Sequence, residues 1–330
     1  MKKIFIIGGA GYIGARLVPI LLKKGYYITV YDLLIYGSNL KKNKNLKVIK
    51  GDIRNINLLN KKSKNHDIFI HLACISNDPS SDLNPNLTKS INYDCFEDIV
   101  KIAKKNLFKR FIFASSSSVY GLSKAKNVKE NHVLKPLTLY SKYKVKCEKI
   151  LLKHTSKDFT GIIFRPATVC GYSQRLRLDL TVNILTNFAF NKNKIQVFGG
   201  KQLRPNLHIL DYCDLIKLLI IAPKHKIQNQ IFNVGYQNLS VDKIAAIVKK
   251  TTLKNTKINQ ISIIKTTTND NRSYHINSDK IYDVLGFRPK KTIEDAVKEL
   301  LIKFKQKKIK NSFSKINYFN VKKMKSINLK

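Results

Sequence analysis

The sequence predicts an α/β protein with a doubly wound parallel sheet and a smaller, mostly C-terminal α/β domain. Short apolar runs of strand length alternate with amphipathic runs of helix length over the first half of the chain, which is typical of parallel sheets covered by helices. A glycine-rich loop separates the first strand from the first helix. Polar residues follow several strands directly, at the edge of the sheet where such proteins bind ligands.

The composition is that of a globular protein. The 330 residues are enough for two domains, and 43% of them are hydrophobic. No apolar run approaches the roughly 18 residues that a membrane-spanning helix needs, and the apolar N-terminal stretch ends at glycines, so we expect a buried strand there and no signal peptide. The cysteines form no CxxC pair, and we expect reduced thiols in the cytoplasm and no metal site: Cys74, Cys95, Cys147, Cys170 and Cys213.

The formal net charge of +41 is unusual, with 62 basic residues against 21 acidic ones. Such a charge is a feature of proteins that bind nucleic acid or anionic lipid. Only nine of the basic residues are arginines, however, and the lysines are spread along the whole chain beside many Asn and Ile. This distribution fits a preference for A/T-rich codons at least as well, so we expect no nucleic-acid partner.

The first strand, residues 3–7, leads into a glycine loop and then into a helix that ends at about residue 24. The glycines are Gly8, Gly11 and Gly14, and Tyr12 and Ile13 lie between the last two. Between a strand and a helix this spacing is a dinucleotide-binding fingerprint, because glycines permit a tight turn and close approach of the backbone. The helix N-terminus then faces a pyrophosphate with unpaired N–H groups. We therefore predict a Rossmann-type domain.

The ends of the next two strands predict the cofactor. The second strand, 27–31, ends at Asp32, eighteen residues after Gly14. A carboxylate there bonds to an adenosine ribose and repels a 2′-phosphate, so NAD is favoured over NADP. The third strand, 46–50, is followed by Asp52 and Ile53, which we assign to the adenine.

Two further strands deliver polar residues to the same edge of the sheet. The fourth, 67–71, ends in His71, which we interpret as structural, and continues into Leu72 and Ala73. A helical stretch from about 87 to 106 contains Asn92. The fifth strand, 110–114, leads into four serines, 115–118.

The helix that begins at Tyr140 carries the main catalytic prediction. Residues four apart share a helix face, so Tyr140 and Lys144 project together. A cation beside a phenol favours the phenolate and lowers a tyrosine pKa from its reference value near 10. Such a tyrosine removes or delivers a hydroxyl proton near neutral pH.

The second half of the chain completes the organisation. We expect a sixth strand at 161–164, a helix at 211–221, a strand at 231–234 and helices near 241–250, 278–285 and 292–304. The predicted cofactor domain covers 1–168 and about 206–235, and the substrate domain covers about 169–205 and 236–304. No acidic residue follows Glu299, and the Lys- and Asn-rich segment 305–330 predicts a loosely ordered basic tail.

Together these motifs resemble the extended short-chain dehydrogenase/reductase family, in its branch of NAD-dependent epimerases and dehydratases that act on nucleotide sugars. The resemblance covers roughly residues 3 to 302 and rests on motifs in the order of the family: the glycine loop, Asp32, Gly51-Asp52, His71-Leu72-Ala73, the serines before Val119-Tyr120-Gly121, Tyr140-x-x-x-Lys144 and Arg165-Pro166.

The resemblance implies the roles of individual residues. Tyr140 is the implied acid/base, Lys144 binds the nicotinamide ribose and lowers the tyrosine pKa, and Ser116 bonds the reacting sugar oxygen. The implied cofactor contacts, besides Tyr140 and Lys144, are Gly8, Gly11, Tyr12, Ile13, Gly14, Asp32, Asp52, Ile53, Leu72, Ala73 and Asn92.

A nucleotide-sugar substrate is also implied, held by Ser117, Asn183, Val197, Arg204 and Arg272. Asn183 contacts the diphosphate and the strand around Val197 holds the base through its backbone. Arg204 and Arg272 suit a phosphate because the guanidinium fork binds two oxygens at once. In the family the region of Arg175, Arg177 and Asp179 closes over the substrate, and chains pair through the tyrosine helix, so we expect a homodimer.

The two residues directly after Ser116 limit the reactions that we expect. Members that dehydrate the sugar carry Asp-Glu at this place, whereas this chain has Ser117 and Ser118, which disfavours elimination of water and, less firmly, decarboxylation. We therefore expect C4 epimerisation of an NDP-hexose through a 4-keto intermediate. The alternatives are a nucleotide-sugar reductase or dehydrogenase, a 2- or 3,5-epimerase, and a non-catalytic relative that binds RNA. Cys74 or Cys170 as an additional acid/base is a minority hypothesis, because a free cysteine is usually a small buried hydrophobe.

Overall fold

The computed structural model describes residues 2–123, 125, 127–268, 273, 275–327 and 329. The strands in this part of the chain are β1 (Lys3–Ile7), β2 (Tyr27–Asp32), β3 (Leu46–Lys50), β4 (Ile68–His71), β5 (Arg110–Ala114), β6 (Thr160–Pro166), β7 (Thr168–Cys170), β8 (Lys194–Phe198), β9 (Leu203–His208), β10 (Gln230–Val234), β11 (Gln237–Ser240) and β12 (Ser262–Thr266).

The α-helices in the same residues are α1 (Gly14–Lys23), α2 (Ile56–Ser63), α3 (Asp78–Ser81), α4 (Pro85–Lys89), α5 (Phe96–Lys105), α6 (Leu139–His154), α7 (Thr181–Lys192), α8 (Ile209–Ile221), α9 (Lys224–Ile227), α10 (Val241–Asn255), α11 (Asp279–Leu285), α12 (Ile293–Lys305) and α13 (Asn320–Lys325). A π-helical turn spans Ser90–Asp94, and short 3₁₀ helices span Ser117–Tyr120 and Ile316–Tyr318.

Seven strands form a sheet in the order β10-β6-β5-β4-β1-β2-β3, and every pairing in it is parallel. This confirms the predicted doubly wound α/β class. The chain runs outward from β1 through β2 to β3 and then crosses back to β4 on the other side. The crevice at the carboxyl ends of β1 and β4 is therefore the switch point where such sheets bind ligands.

Alternating side chains along the strands explain why helices cover both faces. Ile4 and Ile6 of β1 belong to the core cluster beneath α1 and α8, whereas Phe5 and Ile7 belong to the cluster beneath α5 and α6. Successive side chains of a strand point to opposite faces, so an apolar run without polar gaps produces two cores.

A smaller unit is built mainly from later residues. The strands β8 and β12 pair in parallel, and β11, β9 and β7 form a three-stranded sheet. Helices α7, α10 and α12 enclose a separate apolar cluster that includes Leu185, Ile244 and Val297. The domain boundaries drawn from the sequence stay a prediction.

The C-terminal segment differs from the loosely ordered tail that its composition predicts. Ile309 and Tyr318 are buried in a cluster with Tyr12 and Phe304, and the backbone N–H of Leu178 donates to the Tyr318 carbonyl at 2.9 Å. Apolar residues spaced among the lysines provide this contact. The high charge of the segment predicted disorder and gave no sign of them. In the described part of the chain no helix combines the length and hydropathy that crossing a membrane requires.

Candidate active site

A cavity of about 540 Å³ opens at the carboxyl ends of β1, β2, β4 and β5, a volume within the range of small-molecule sites. Its walls are formed by the glycine loop, the end of β2, the serine loop after β5, the start of α6, the segment after β7 and part of the C-terminal segment. All three predicted catalytic residues line it, and so do these predicted cofactor residues: Gly8, Gly11, Tyr12, Ile13, Asp32, Ile53, Leu72 and Ala73.

The glycine loop needs its glycines for space. Gly8 has a φ of +76°, and a Cβ there would lie 2.5 Å from the backbone nitrogen of Ala73. A Cβ on Gly14 would lie 2.2 Å from the carbonyl oxygen of Gly9, so Gly14 supports the loop without lining the cavity itself. Because no side chains project from these glycines, a pyrophosphate can approach the backbone at the start of α1.

Asp32 is held at the end of β2 by two backbone groups. Its carboxylate accepts hydrogen bonds from the N–H of Ala10 at 2.9 Å and from the N–H of Leu34 at 2.8 Å. Burial raises the pKa of this carboxyl, although both hydrogen bonds oppose the shift. Each oxygen retains lone pairs toward the cavity, and the arrangement fits the hydroxyls of an adenosine ribose.

Asp52 does not line the cavity, although Gly51 and Ile53 on either side do. Its carboxylate is bound by Arg54, with 2.6 Å between Oδ2 and Nη2. Burial opposes ionisation of Asp52, but the hydrogen bonds from Arg54 outweigh burial and lower the pKa of the carboxyl. The contact of the Asp52 side chain with the adenine stays a prediction, and Tyr36 also lines the cavity.

Asn92 also has a supporting position. Its Oδ1 accepts from the N–H of Ile75 at 2.8 Å and its Nδ2 donates to the Ile75 carbonyl at 3.0 Å, which fixes the loop after β4.

His71 packs against Phe96 and Phe113. Burial and the charge of Lys144 lower the pKa of His71 to about 3, so the imidazole is neutral and structural, as its place at a strand end suggests.

The start of α6 brings the tyrosine and the lysine to the sheet. Thr138 and Ser141 form a capping box that fixes the first turn. The Nζ of Lys144 donates to the carbonyl of Ala114, at the end of β5, at 2.7 Å, and lies 5.6 Å from the centroid of the Tyr140 ring. Lys144 is only 6% exposed, so the ammonium is fixed beside the phenol.

The serines of the loop after β5 have two roles: some support the fold, and others face the cavity. The Oγ of Ser115 donates to Glu148, which forms a buried ion pair with Arg165 at 2.6 Å. The Oγ of Ser116 accepts from the N–H of Ser118 at 3.2 Å and from its hydroxyl at 2.9 Å. Ser116 therefore keeps its own proton for donation into the cavity.

Most of the predicted substrate residues lie elsewhere. Ser117 lines the cavity, whereas Asn183, Val197 and Arg204 do not, and Arg272 lies outside the described residues. Asn183 is fully buried, and its amide accepts from the Gly171 N–H at 2.9 Å and donates to the Arg177 carbonyl at 2.9 Å. It orders the loop after β7 from within. Val197 is buried in the core of the smaller unit.

Two arginines of the segment after β7 line the cavity, Arg175 and Arg177. Arg177 pairs with Asp179, with 2.8 Å between Nε and Oδ1. Arg175 is 4% exposed, stacks on the Tyr36 ring at 3.6 Å and donates from Nη2 to Asn320 at 2.5 Å. Burial lowers the pKa of Arg175 to about 10, but the group is still cationic at neutral pH. Arg175 therefore places a positive charge on the cavity wall.

Asp78 is a cavity residue that sequence reasoning missed. Its carboxylate accepts a hydrogen bond from Thr138, the residue that caps α6 two positions before Tyr140. The preceding Asn77 has φ +77° and ψ 156°, a conformation that residues other than glycine rarely adopt and that is often found at functional sites. The sequence signal is the Asn-Asp-Pro turn after a strand end.

The two cysteines of the minority hypothesis have different positions. Cys74 lines the cavity, but Cys170 does not. Cys170 is buried and its thiol donates to the Leu207 carbonyl. Burial raises its pKa, so Cys170 is a poor acid/base.

The parallel sheet, the glycine loop with Asp32, and the Tyr140–Lys144 pair beside a serine loop define a dinucleotide-dependent enzyme of the short-chain dehydrogenase type. The model of the NAD dependent epimerase/dehydratase family matches residues 4–235, and the chain belongs to this family. NAD is accordingly its cofactor, as Asp32 predicted.

Individual relatives catalyse different reactions. The chain is 27% identical to a UDP-glucose 4-epimerase of Lactobacillus helveticus, over 89% of this chain and 94% of that protein. It is 25% identical to a UDP-N-acetyl-alpha-D-glucosaminuronate decarboxylase of Bacillus cytotoxicus, over 92% and 98%. A solved structure of the dTDP-glucose 4,6-dehydratase DesIV from Streptomyces venezuelae with NAD and TYD bound superposes with a TM-score of 0.81 at 21% identity, over 92% and 97%.

Proposed function

We propose that the protein is an NAD-dependent epimerase that inverts C4 of a nucleotide-linked hexose through a 4-keto intermediate. The observation that supports this most is the placement of Tyr140, Lys144 and Ser116 on the wall of one cavity with the glycine loop. The residues present fit NAD, because the loop leaves no room for a Cβ on Gly8 and Asp32 directs a carboxylate into the ribose position.

The residues of the chain act on the proton and on the oxygen at C4. Tyr140, as phenolate, takes the proton of the sugar hydroxyl, and Ser116 donates to the same oxygen as it becomes a carbonyl. Lys144 uses one of its three N–H donors on Ala114, which leaves two for the phenolate and for the nicotinamide ribose. The chemistry that bound NAD supplies is the removal of hydride from C4 and its return to the opposite face of the ketone. The proton then goes back from Tyr140 to the oxygen.

The first experiment uses purified protein without added cofactor. It is incubated in D₂O with UDP-, GDP-, dTDP- and CDP-linked hexoses, and the sugar protons are followed by NMR, with Tyr140→Phe as control. Inversion at one carbon without deuterium on carbon and without net NADH, lost in the variant, supports the proposal. Turnover only with stoichiometric NADH or NAD would replace it by a reductase or dehydrogenase.

Asp78 favours a second candidate function. The serine loop lacks the acidic pair of dehydrating members, but Asp78 brings a carboxylate into the same cavity. A carboxylate near a 4-keto sugar is suited to remove a proton from the neighbouring carbon, as elimination of water or 3,5-epimerisation requires. Deuterium at C3 or C5 of the product, abolished by Asp78→Asn, would identify this chemistry and exclude simple return of hydride.

We also propose that the protein works in the cytoplasm as a homodimer that pairs through α6. The exposed side of this helix carries Lys142, Lys146 and Lys149, and like charges repel across a symmetric interface. Acidic residues of the adjacent α5, Glu97 and Asp98, offer compensation. Sedimentation at 50 and 500 mM salt tests the pairing, and a monomer at both concentrations would contradict it.

A further inference from the structure

The C-terminal segment is tied into the cavity by one buried residue, Asn320. Its backbone N–H donates to Asp179 at 2.8 Å and its Nδ2 donates to the Oγ of Ser76 at 2.8 Å. Its Oδ1 accepts from Nη2 of Arg175 at 2.5 Å. Asn320 thus connects the segment to the loop after β4 and to the loop after β7.

Two apolar residues of the segment line the same cavity. Met324 and Leu329 belong to its wall together with Ile53 and Ile75, and both pack against the apolar cluster under α5 and α6. The ends of β2 and β3 form the adenosine side of a sheet of this type, because the acid after β2 binds the adenosine ribose. The segment therefore lies over the adenosine half of the cofactor position.

Arg175 is a buried positive charge at this position. Among the described residues no carboxylate forms an ion pair with Arg175, and its buried Nε and Nη1 atoms have no hydrogen-bond partner. The carboxylates of Asp179 and Asp32 act on Arg175 only from beyond ion-pair distance, and its unmade hydrogen bonds add to the cost of burying the cation. The glycine loop on the same cavity presents further N–H groups to an anion. The site is therefore complementary to a diphosphate.

We propose that residues 309–327, with Leu329, are part of the cofactor site and close over the adenosine diphosphate half of NAD, with Asn320 holding Arg175 as the counter-charge of the diphosphate. Entry and exit of NAD then require the contacts of Asn320 to open. The cofactor is retained between turnovers, which suits an enzyme that regenerates it. This inference concerns the binding of NAD and does not depend on which sugar carbon reacts.

Calorimetry on the full chain tests the assignment with three ligands: NAD, ADP and UDP. We expect Asn320→Ala to weaken both NAD and ADP about tenfold, the effect of one hydrogen bond to a charged group, and to leave UDP unchanged. Asn320→Asp supplies Arg175 with a permanent carboxylate, so it should weaken NAD and ADP at least as much while preserving the fold. Lys298→Ala, at an exposed position of α12 outside the C-terminal segment, is the control and should match the wild type.

Tryptic cleavage provides a readout that needs no variant. Lys322, Lys323 and Lys325 lie in α13, and we expect NAD and ADP, but not UDP, to slow cleavage there at least fivefold. Unchanged affinity for NAD and ADP in both Asn320 variants, with unchanged cleavage, would overturn the proposal. Weakening of UDP alone would overturn it too, since Arg175 would then serve the diphosphate of the substrate.

Discussion

Ser115 and Ser116 are neighbours of the same type with opposite surroundings. Ser115 donates inward to the buried Glu148, whereas Ser116 has accepted two hydrogen bonds from Ser118 and faces the cavity. The same hydroxyl therefore supports the fold at one position and chemistry at the next. The two serines differ in the direction of their hydroxyl groups, and a run of four serines in the sequence does not show this direction.

A matched pair of variants tests this difference. We expect Ser116→Ala to lower kcat about 10²-fold, because one donor to the developing carbonyl is lost, with little change in Tm. Ser115→Ala should instead lower Tm, because Glu148 loses a buried partner, with kcat changed less than tenfold. Steady-state kinetics and thermal unfolding of the two proteins check this, and equal losses of kcat would contradict the assignment.

His71 should make the protein sensitive to acid. Its pKa is lowered to about 3 in the folded state from an ordinary 6.5, by burial and by Lys144. Between these values the unfolded state binds the extra proton, so the free energy of unfolding falls as the pH drops below 6.5, by up to about 1.4 kcal/mol per pH unit. Stability from this group is fully present above pH 6.5.

The measurement is urea unfolding between pH 5 and 7. We expect His71→Leu to reduce the slope of the free energy of unfolding against pH, because the apolar side chain fits among the surrounding phenylalanines and takes up no proton. An unchanged slope would show that other groups, such as the buried His208, whose pKa burial lowers to about 4, dominate acid unfolding.

At the scale of elements, α6 is joined to the sheet by more than the catalytic lysine. Glu148 of α6 pairs with Arg165 of β6, and Arg165 also donates to the hydroxyl of Tyr120 at 2.7 Å. Tyr120 in turn donates to Asn233 of β10 at 2.7 Å. One buried polar network thus fixes the helix, the serine loop and two strands relative to each other.

Breaking this network should cost stability. We expect Glu148→Gln to lower the free energy of unfolding by about 3 kcal/mol, because Arg165 keeps a buried charge without its counterion. Chemical denaturation measures the loss. Glu97→Gln, at an exposed carboxylate of α5, is the comparison and should have little effect, since exposed pairs are screened by water. Similar losses in both variants would mean that the Glu148 pair is effectively solvated.

The elements were predictable where the information is local. The strand runs, the glycine loop, Asp32 and the four-residue spacing of Tyr140 and Lys144 each depend on neighbouring residues, and the structure brings all of these to one cavity. The strand pattern gives no sign that Arg54 binds the Asp52 carboxylate, and the contact of Asp52 with the adenine stays a prediction. Asn183 and Val197 turn inward, and no periodicity in the sequence shows which face of their elements the smaller unit buries.

The remaining misses come from contacts between distant segments. Asp78 lines the cavity and accepts a hydrogen bond from Thr138, which is 60 residues away in the sequence. Asn320 likewise contacts the distant Ser76 and Arg175. In the C-terminal segment, high charge suggested disorder, yet a few spaced apolar residues bury enough surface to dock it. Composition averages over such residues, so it cannot show them.

At the scale of the whole molecule, the charge of +41 produces a field that acts on every ligand of the cavity. Nucleotides are anions, so the field should accelerate their capture even though most lysines never touch them. Salt screens this attraction, since the Debye length falls from about 14 Å at 50 mM to about 4 Å at 500 mM. A neutral ligand gains nothing from the field and should be insensitive to salt.

Stopped-flow association of fluorescently labelled ADP and labelled adenosine separates the two effects. Between 50 and 500 mM salt we expect the association rate constant of the ADP probe to fall about tenfold and that of the adenosine probe to change less than twofold. Equal salt dependence of both probes would mean that the lysines are spread too evenly to steer ligands. A structured RNA that binds with a steep logarithmic salt dependence and displaces the ADP probe would instead assign the charge to nucleic acid, because counterion release requires many phosphates in contact at once.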